Sequence, residues 1–174
     1  HENKLNLIRR TAEALGLSII TARTHNASVF DAELFEKYDR VLCDVPCSGL
    51  GVLAKKPEIR HKDPTSFTRL PQIQSQILDN CSRYVKPGGL LQYSTCTLSV
   101  AENEEVVKRF LSAHEEFSLV PFSYGPVVGS EGMCTIFPDQ FEQIRCDGFF
   151  VAQMRKETSV SSAANADETD EHRS

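Results

Sequence analysis

Two hydrophobic periods alternate along this sequence, and the alternation is the feature that most constrains its fold. Apolar residues recur at helical spacing over 5–15 and 70–85, and again where Val106, Val107, Phe110 and Leu111 share one face. Short apolar runs typical of strands cover 17–22, 40–44, 90–94, 117–120, 133–137 and 148–154. The last two runs are predicted to form an antiparallel pair. This order of elements predicts an α/β fold, with helices packed on a sheet.

Two local signals refine this prediction. Ser99 followed by Glu102 matches a capping box, which predicts that the third helix begins there. Residues 48–67 show no hydrophobic period and are predicted to form a long loop. Long loops inside compact domains are usually functional, so this segment is a candidate part of a site.

Length and charge set further limits. The chain has 174 residues and a formal net charge of −5, which suits one domain without a globally basic surface. The chain has no apolar run long enough for a transmembrane helix, so neither a membrane span nor a signal peptide is expected. Residues 157–174 are acidic, lack aromatic residues and are predicted to be a disordered tail, which leaves 1–156 as the domain. The six cysteines are predicted to be free thiols in a reducing, cytoplasmic compartment.

Two cysteines follow predicted strands. The segment 44–49 (DVPCSG) places Cys47 after one strand, and the segment 93–97 (YSTCT) places Cys96 at the end of another. Chemistry in α/β folds collects beyond the carboxyl ends of strands, so neighbouring strands would direct both thiols into one cleft. A thiolate is a strong nucleophile, but free cysteine is also a common core residue. Zinc is disfavoured, because Cys43 and Cys47 have no second close pair of ligands.

These motifs resemble those of one enzyme family. The segment 44–49, followed by Gly51 and by 57–60 (PEIR), is similar to the DAPCSG-x-G motif of RNA cytosine-5 methyltransferases. That family includes the bacterial 16S ribosomal RNA methyltransferase B and the Nol1/Nop2/Sun proteins. Its second cysteine motif resembles 93–96. Further similarity lies in 70–74 (LPQIQ), 86–89 (KPGG), 103–104 (NE) and 146–150 (CDGFF).

The resemblance implies a Rossmann-like class I methyltransferase sheet of order 3-2-1-4-5-7-6. This chain would supply strands 3 to 7 and lack strands 1 and 2, so the resemblance implies a fold truncated at its N-terminal strands. The implied reaction transfers a methyl group from S-adenosylmethionine to carbon 5 of a cytosine in RNA, with ribosomal RNA as the expected substrate. Cys96 would be the nucleophile, Cys47 would assist release of the product, and Asp44 would stabilise the base adduct by hydrogen bonding.

The resemblance also assigns binding residues. Asn26, Asp44 and Pro46 are expected to contact the methyl donor, although Asn26 stands where the family usually has aspartate. A local basic stretch in an acidic chain is expected to contact RNA phosphates: Lys55, Lys56, Arg60, His61 and Lys62. The glycine-rich donor loop has no counterpart here. We therefore expect the N-terminal segment of the same protein to be a necessary partner, and the chain alone to be inactive and either unstable or self-associating. No metal or membrane partner is expected.

Two alternatives of other classes remain open at this point. The chain could be a non-catalytic RNA-binding module that retains the methyltransferase fold. It could instead be a thiol hydrolase, which would require His61 or His114 to activate a cysteine. DNA cytosine methylation is disfavoured, because those enzymes lack the partner motif around Cys96.

Overall fold

The computed structural model describes residues 2–142 and 145–158. Its helices are α1 Glu2–Ala14, α2 Leu70–Ser82 and α3 Glu104–Ala113. Its strands are β1 Tyr38–Asp44, β2 Val85–Thr95, β3 Phe117–Leu119, β4 Phe122–Tyr124, β5 Val127–Gly129, β6 Met133–Ile136 and β7 Phe149–Lys156. The predicted α/β class is confirmed. The predicted disordered tail lies almost wholly outside the described residues.

The strand order positions the site. The larger sheet runs β1-β2-β7-β3, and β6 also pairs with β7. Strands β1 and β2 are parallel, whereas β7 is antiparallel to β2, β3 and β6. This order matches the 4-5-7-6 section that the resemblance implied, and the predicted antiparallel pair of β6 and β7 is present. The carboxyl ends of β1 and β2 therefore lie side by side, with Asp44 opposite Ser94.

One face of this sheet carries the core. Residues from β1, β2 and β7 pack there against α2 and α3, with Leu78, Leu91, Val107, Phe150 and Met154 among the fully or almost fully buried side chains. The opposite face is open around Leu42, which is 65% exposed, and a cavity of about 210 Å³ lies beside it. The β4–β5 hairpin forms a separate two-stranded sheet. None of the helices in the described ranges is long and apolar enough to cross a membrane.

The predicted strand over 17–22 is wrong. The segment is irregular, with a bend at Ile19, and joins neither sheet of the described chain; Ile19 is 88% exposed. A strand needs a hydrogen-bonding neighbour, and apolar residues alone do not supply one. Strand β1 likewise pairs only with β2 within the described ranges, so its other edge has unpaired backbone groups.

Two predicted helix boundaries also differ from those in the structure. Helix α2 ends at Ser82, not at Val85, because Val85 is a fully buried residue of β2 that pairs with Tyr38. The next four residues, Lys86 to Gly89, bulge out of the ladder, since Arg40 pairs with Leu90. Helix α3 begins at Glu104, so the predicted capping box is wrong. The Glu102 side chain is used elsewhere, as described below.

The predicted long loop over 48–67 contains neither an α-helix nor a strand. It holds three short 3-10 turns, at Leu50–Val52, Pro57–His61 and Pro64–Phe67. Gly49 precedes the first turn with a φ of 76°, which a glycine adopts without strain. The loop is thus a series of turns that leads from the end of β1 to α2.

Candidate active site

The two cysteine motifs meet where β1 and β2 end. The Val45 N–H donates to the Ser94 carbonyl oxygen at 3.2 Å, which continues the parallel ladder to the start of the first motif. Beyond it, the Cys47 Sγ and Cys96 Sγ atoms lie 3.1 Å apart. The predicted convergence of both thiols in one place is therefore present. A second thiol pair, Cys43 with Cys81, is packed in the hydrophobic core, whereas the Cys47–Cys96 pair lies beyond the carboxyl ends of β1 and β2.

The surroundings of Cys47 determine the protonation state of its thiol. Burial, and secondarily the hydrogen bond with Cys96, raise the pKa of Cys47 to about 12. Cys47 is therefore a protonated thiol at neutral pH, able to donate its proton in a hydrogen bond to the Cys96 sulfur.

The loop after Cys47 is tied directly to the segment that carries Cys96. The Gly51 N–H donates to the Cys96 carbonyl oxygen at 3.0 Å, and the Gly148 N–H donates to the Gly51 carbonyl oxygen at 2.8 Å. A Cβ at Gly51 would lie 2.9 Å from the Cys96 oxygen and closer still to Gly148. Three chain segments thus meet at a point where only glycine fits.

Asp44 and Pro46 lie on the exposed side of this junction. One Asp44 oxygen accepts a hydrogen bond from the Ser94 hydroxyl at 3.3 Å. The other oxygen has no hydrogen-bonding partner within the described ranges, so it is available to a ligand. The Pro46 carbonyl oxygen accepts from the buried Gln74 amide at 3.0 Å. Asp44 is therefore held near the cysteines by its own strand, and Pro46 by α2.

Asn26 lies apart from the cysteines, in a turn packed on α2. Its side-chain oxygen accepts from the Ser28 N–H at 3.1 Å, and Asn80 of α2 holds the neighbouring Ala27 carbonyl at 3.0 Å. Asn26 lines a cavity of about 460 Å³ together with Lys4, Leu5, Arg23, Thr24 and His25. Asp44 and Pro46 do not line this cavity. The structure therefore does not bring the three expected donor contacts together in one pocket.

The five expected RNA-binding residues are all exposed on the loop between Cys47 and α2. Lys55 is already paired, because its Nζ lies 2.6 Å from an Asp147 oxygen. The structure shows no acidic partner, among the residues it describes, for Lys56, Arg60 or Lys62. These three cations are available to phosphate, and Lys55 serves to tie the loop to the segment before β7.

Sequence reasoning missed the buried polar residues that surround the cysteines. Gln74 and Glu102 contact the Cys47 loop, and Asn103 contacts the residues beside Cys96. All three are at most 3% exposed. Their hydrogen-bonding partners lie as far as 54 residues away in sequence, so no local sequence pattern predicts these contacts. The available signals were the position of Gln74 on the apolar face of α2 and the motif matches at 70–74 and 103–104, which carried no assigned role.

The rival chemistries gain no support from the geometry. His114 contacts Asp79 and Glu116 and stacks on Phe110, and His61 makes no hydrogen bond to either cysteine in the described chain. The described residues contain no group of three or more side chains that could hold a metal ion. The arrangement present is two sulfurs and one carboxylate at the ends of two parallel strands.

Comparison with known proteins identifies relatives over nearly the whole chain. The sequence model of the 16S rRNA methyltransferase RsmB/F family matches residues 1–155. The protein called probable ribosomal RNA small subunit methyltransferase B of Bacillus subtilis is 40% identical over 166 residues, which cover 90% of this chain and 36% of the relative. Ribosomal RNA small subunit methyltransferase F of Cronobacter sakazakii is 34% identical over 91% of this chain and 34% of its own length. The chain thus spans about a third of these curated relatives.

Solved structures of methyltransferases are similar to this chain as well. A methyltransferase homologue from Pyrococcus horikoshii superposes with a TM-score of 0.70 at 28% identity, covering 90% of this chain and 51% of the homologue. NSun6 from the same organism, solved with the S-adenosylmethionine analogue SFG, gives a TM-score of 0.68 at 25% identity, covering 90% of this chain and 39% of NSun6. The fold is that of Rossmann-like, S-adenosylmethionine-dependent methyltransferases. The chain belongs to the 16S rRNA methyltransferase RsmB/F family.

Proposed function

We propose that this chain is the catalytic part of an enzyme that transfers a methyl group from S-adenosylmethionine to carbon 5 of a cytosine in ribosomal RNA. The observation that carries the proposal is the 3.1 Å contact between Cys47 Sγ and Cys96 Sγ at the ends of two parallel strands. Family membership supports RNA methylation, and the paired thiols favour carbon 5 of cytosine. That carbon is a poor nucleophile until a thiolate adds to the ring.

In this mechanism the Cys96 thiolate attacks carbon 6 of the base and forms a carbon–sulfur bond. The electron pair of the 5,6 double bond becomes available at carbon 5, which would take the methyl group from the bound donor as the donor's sulfur–methyl bond breaks and its sulfonium becomes a neutral thioether. A base then removes the carbon-5 proton. The electrons of that carbon–hydrogen bond restore the double bond and expel Cys96 as thiolate.

Cys47 acts on the last step. As a thiol, it donates a hydrogen bond to the Cys96 sulfur and stabilises the thiolate that departs. Without that donor, the covalent adduct between protein and RNA breaks down more slowly. The raised pKa of Cys47 supports this assignment, because the free protein holds the residue as a protonated thiol at neutral pH.

Asp44 acts on the opposite side of the base. Its unpaired oxygen is free to accept a hydrogen bond from the base edge, which favours protonation at nitrogen 3 and spreads the charge of the adduct. To reach Cys96, the cytosine must leave its stack, so the substrate is unpaired or locally opened RNA. Lys56, Arg60, His61 and Lys62 are exposed beside the site and contact the flanking phosphates, with Lys55 tethered to Asp147.

The residues present fit one side of a donor site. Asn26 uses its oxygen within its own turn and keeps its amide N–H groups for an adenine edge, beside a cavity of suitable size. Asp44 and Pro46 lie near the cysteines, where the reactive end of the donor belongs. We propose that an upstream segment of the same protein supplies the remaining contacts and the missing strands. The isolated chain is then inactive and self-associating, and the full-length enzyme acts in the cytoplasm.

The test uses the full-length protein with unmodified 16S ribosomal RNA and S-adenosylmethionine. We expect 5-methylcytosine in nuclease digests of the RNA, and none after Cys96→Ala or Asp44→Ala substitution. The matched control is Cys146→Ala, which removes another thiol outside this junction and should leave the yield unchanged. RNA binding without methylation by the unmutated protein would contradict the proposal and favour a non-catalytic RNA-binding module.

A further inference from the structure

One tight turn before α3 reaches both cysteine loops. It contains Glu102 and Asn103, which are 3% and 1% exposed, and their side chains diverge towards different loops. The Tyr93 hydroxyl anchors the turn by donating to the Glu102 carbonyl oxygen at 2.6 Å. Because Tyr93 belongs to β2, the turn is fixed relative to the strand that ends just before Cys96.

Glu102 holds the loop that carries Cys47. Its Oε2 accepts from the Ser48 N–H at 2.9 Å and from the Gln74 side-chain amide at 3.0 Å. The same Gln74 amide donates to the Pro46 carbonyl oxygen at 3.0 Å. The peptide groups on both sides of Cys47 are therefore tied to one carboxylate, directly or through Gln74.

Asn103 holds the segment that carries Cys96 in the same manner. Its side-chain oxygen accepts from the Thr95 hydroxyl at 2.6 Å, and its amide donates to the Thr97 carbonyl oxygen at 3.0 Å. Thr95 and Thr97 flank Cys96 on either side. A carboxylate and an amide in adjacent positions thus each bracket one of the two thiols.

We infer that Glu102 and Asn103 are positioning residues that set the distance between the two sulfurs, Glu102 acting through Cys47 and Asn103 through Cys96. The inference rests on the proposed function and deepens it. One side-chain oxygen of Glu102 accepts from both Ser48 and Gln74, so Glu102 is suited to fixing a loop that has no regular structure. Neither residue touches the reacting atoms.

Although Glu102 and Asn103 are adjacent, their substitution should change the amount of covalent adduct in opposite directions. In a Glu102→Ala variant, Cys47 drifts from Cys96, release slows, and the covalent protein–RNA adduct accumulates as it does in Cys47→Ala. In an Asn103→Ala variant, Cys96 itself is misplaced, and a shift of about 1 Å slows attack by about 10²-fold. Adduct and product then fall together. A purely structural role for the turn would lower adduct and product in both variants.

The experiment measures adduct on denaturing gels and product in digests, using full-length protein, unmodified 16S ribosomal RNA and methyl donor. Glu102→Gln keeps an acceptor oxygen and should restore most of the release. Glu105→Ala, an exposed glutamate of α3, is the matched control and should change neither readout. Since Glu102 acts through Cys47, the double variant Cys47→Ala/Glu102→Ala should accumulate no more adduct than Cys47→Ala alone.

A second variant covers the case in which Glu102→Ala does not fold. Gln74→Leu removes the donor that reaches Pro46, and it also removes a buried Gln74 oxygen that has no partner in the described chain. It should also accumulate adduct. Parallel loss of adduct and product in Glu102→Gln or Gln74→Leu would overturn the inference. An unmutated enzyme that methylates normally, with no adduct in Cys47→Ala, would instead overturn the proposed roles of the cysteines.

Discussion

Cys47 should resist alkylation far more than an ordinary cysteine, and the size of the effect follows from its surroundings. Its pKa rises from 9.0 to about 12, because the thiol is partly buried and bonded to Cys96. A rise of about three pH units lowers the thiolate fraction about 10³-fold below pH 9. A more basic thiolate is also more nucleophilic, and a pKa difference of about three units makes the Cys47 thiolate itself react about 20-fold faster. The net expectation is alkylation about 50-fold slower than that of a reference cysteine peptide.

The assay follows iodoacetamide labelling of the native protein between pH 7 and pH 10 by peptide mass spectrometry. Fragmentation is needed to separate Cys47 from Cys43, which shares its tryptic peptide 41–55. Limited access alone would slow the reaction equally at each pH, so the shape of the profile isolates the pKa. The logarithm of the rate should rise by about one per pH unit through pH 10. A plateau near pH 9 would refute the reasoning.

Three further outcomes follow from the structure. Gly51→Ala should lower the free energy of unfolding by about 1–3 kcal/mol through overpacking, measured by urea unfolding. The control is Gly125→Ala, at φ 60° with no atom within 4 Å. It should lower the free energy of unfolding by a similar amount yet leave methylation unchanged. Lys56→Ala and Lys62→Ala should each weaken RNA binding and lower the slope of log K against log salt by about 0.7, whereas equal weakening at all salt concentrations would argue against phosphate contacts. Ile19→Lys should reduce self-association of the isolated chain in sedimentation experiments, since Ile19 is 88% exposed, and unchanged association would place the contact elsewhere.

The sequence was most informative where one local pattern and one rule of sheet geometry sufficed. The apolar runs before Asp44 and before Cys96 predicted β1 and β2, and the parallel arrangement of consecutive strands predicted that their ends would meet. Resemblance to the methyltransferase family supplied the order of β7 and β3, which no hydrophobic period could give. The site is therefore predictable to the extent that it lies on regular elements.

The errors arose where long-range partners decide the conformation. Ser99 and Glu102 have the spacing of a capping box, but the Glu102 carboxylate binds the Ser48 N–H, 54 residues away in sequence. The apolar run over 17–22 reads as a strand, yet a strand forms only beside a neighbour. The β4–β5 hairpin went unpredicted, because two three-residue strands are too short to show a period.

The most direct test of the account asks which sulfur bonds to the base. Ribosomal RNA that carries 5-fluorocytosine lacks the removable carbon-5 proton, so reaction with full-length enzyme and methyl donor should stall at the covalent adduct. Trypsin places the two thiols on different peptides, 41–55 for Cys47 and 84–108 for Cys96. The account predicts that the trapped nucleotide is attached to peptide 84–108, at Cys96. Attachment at Cys47 would contradict it.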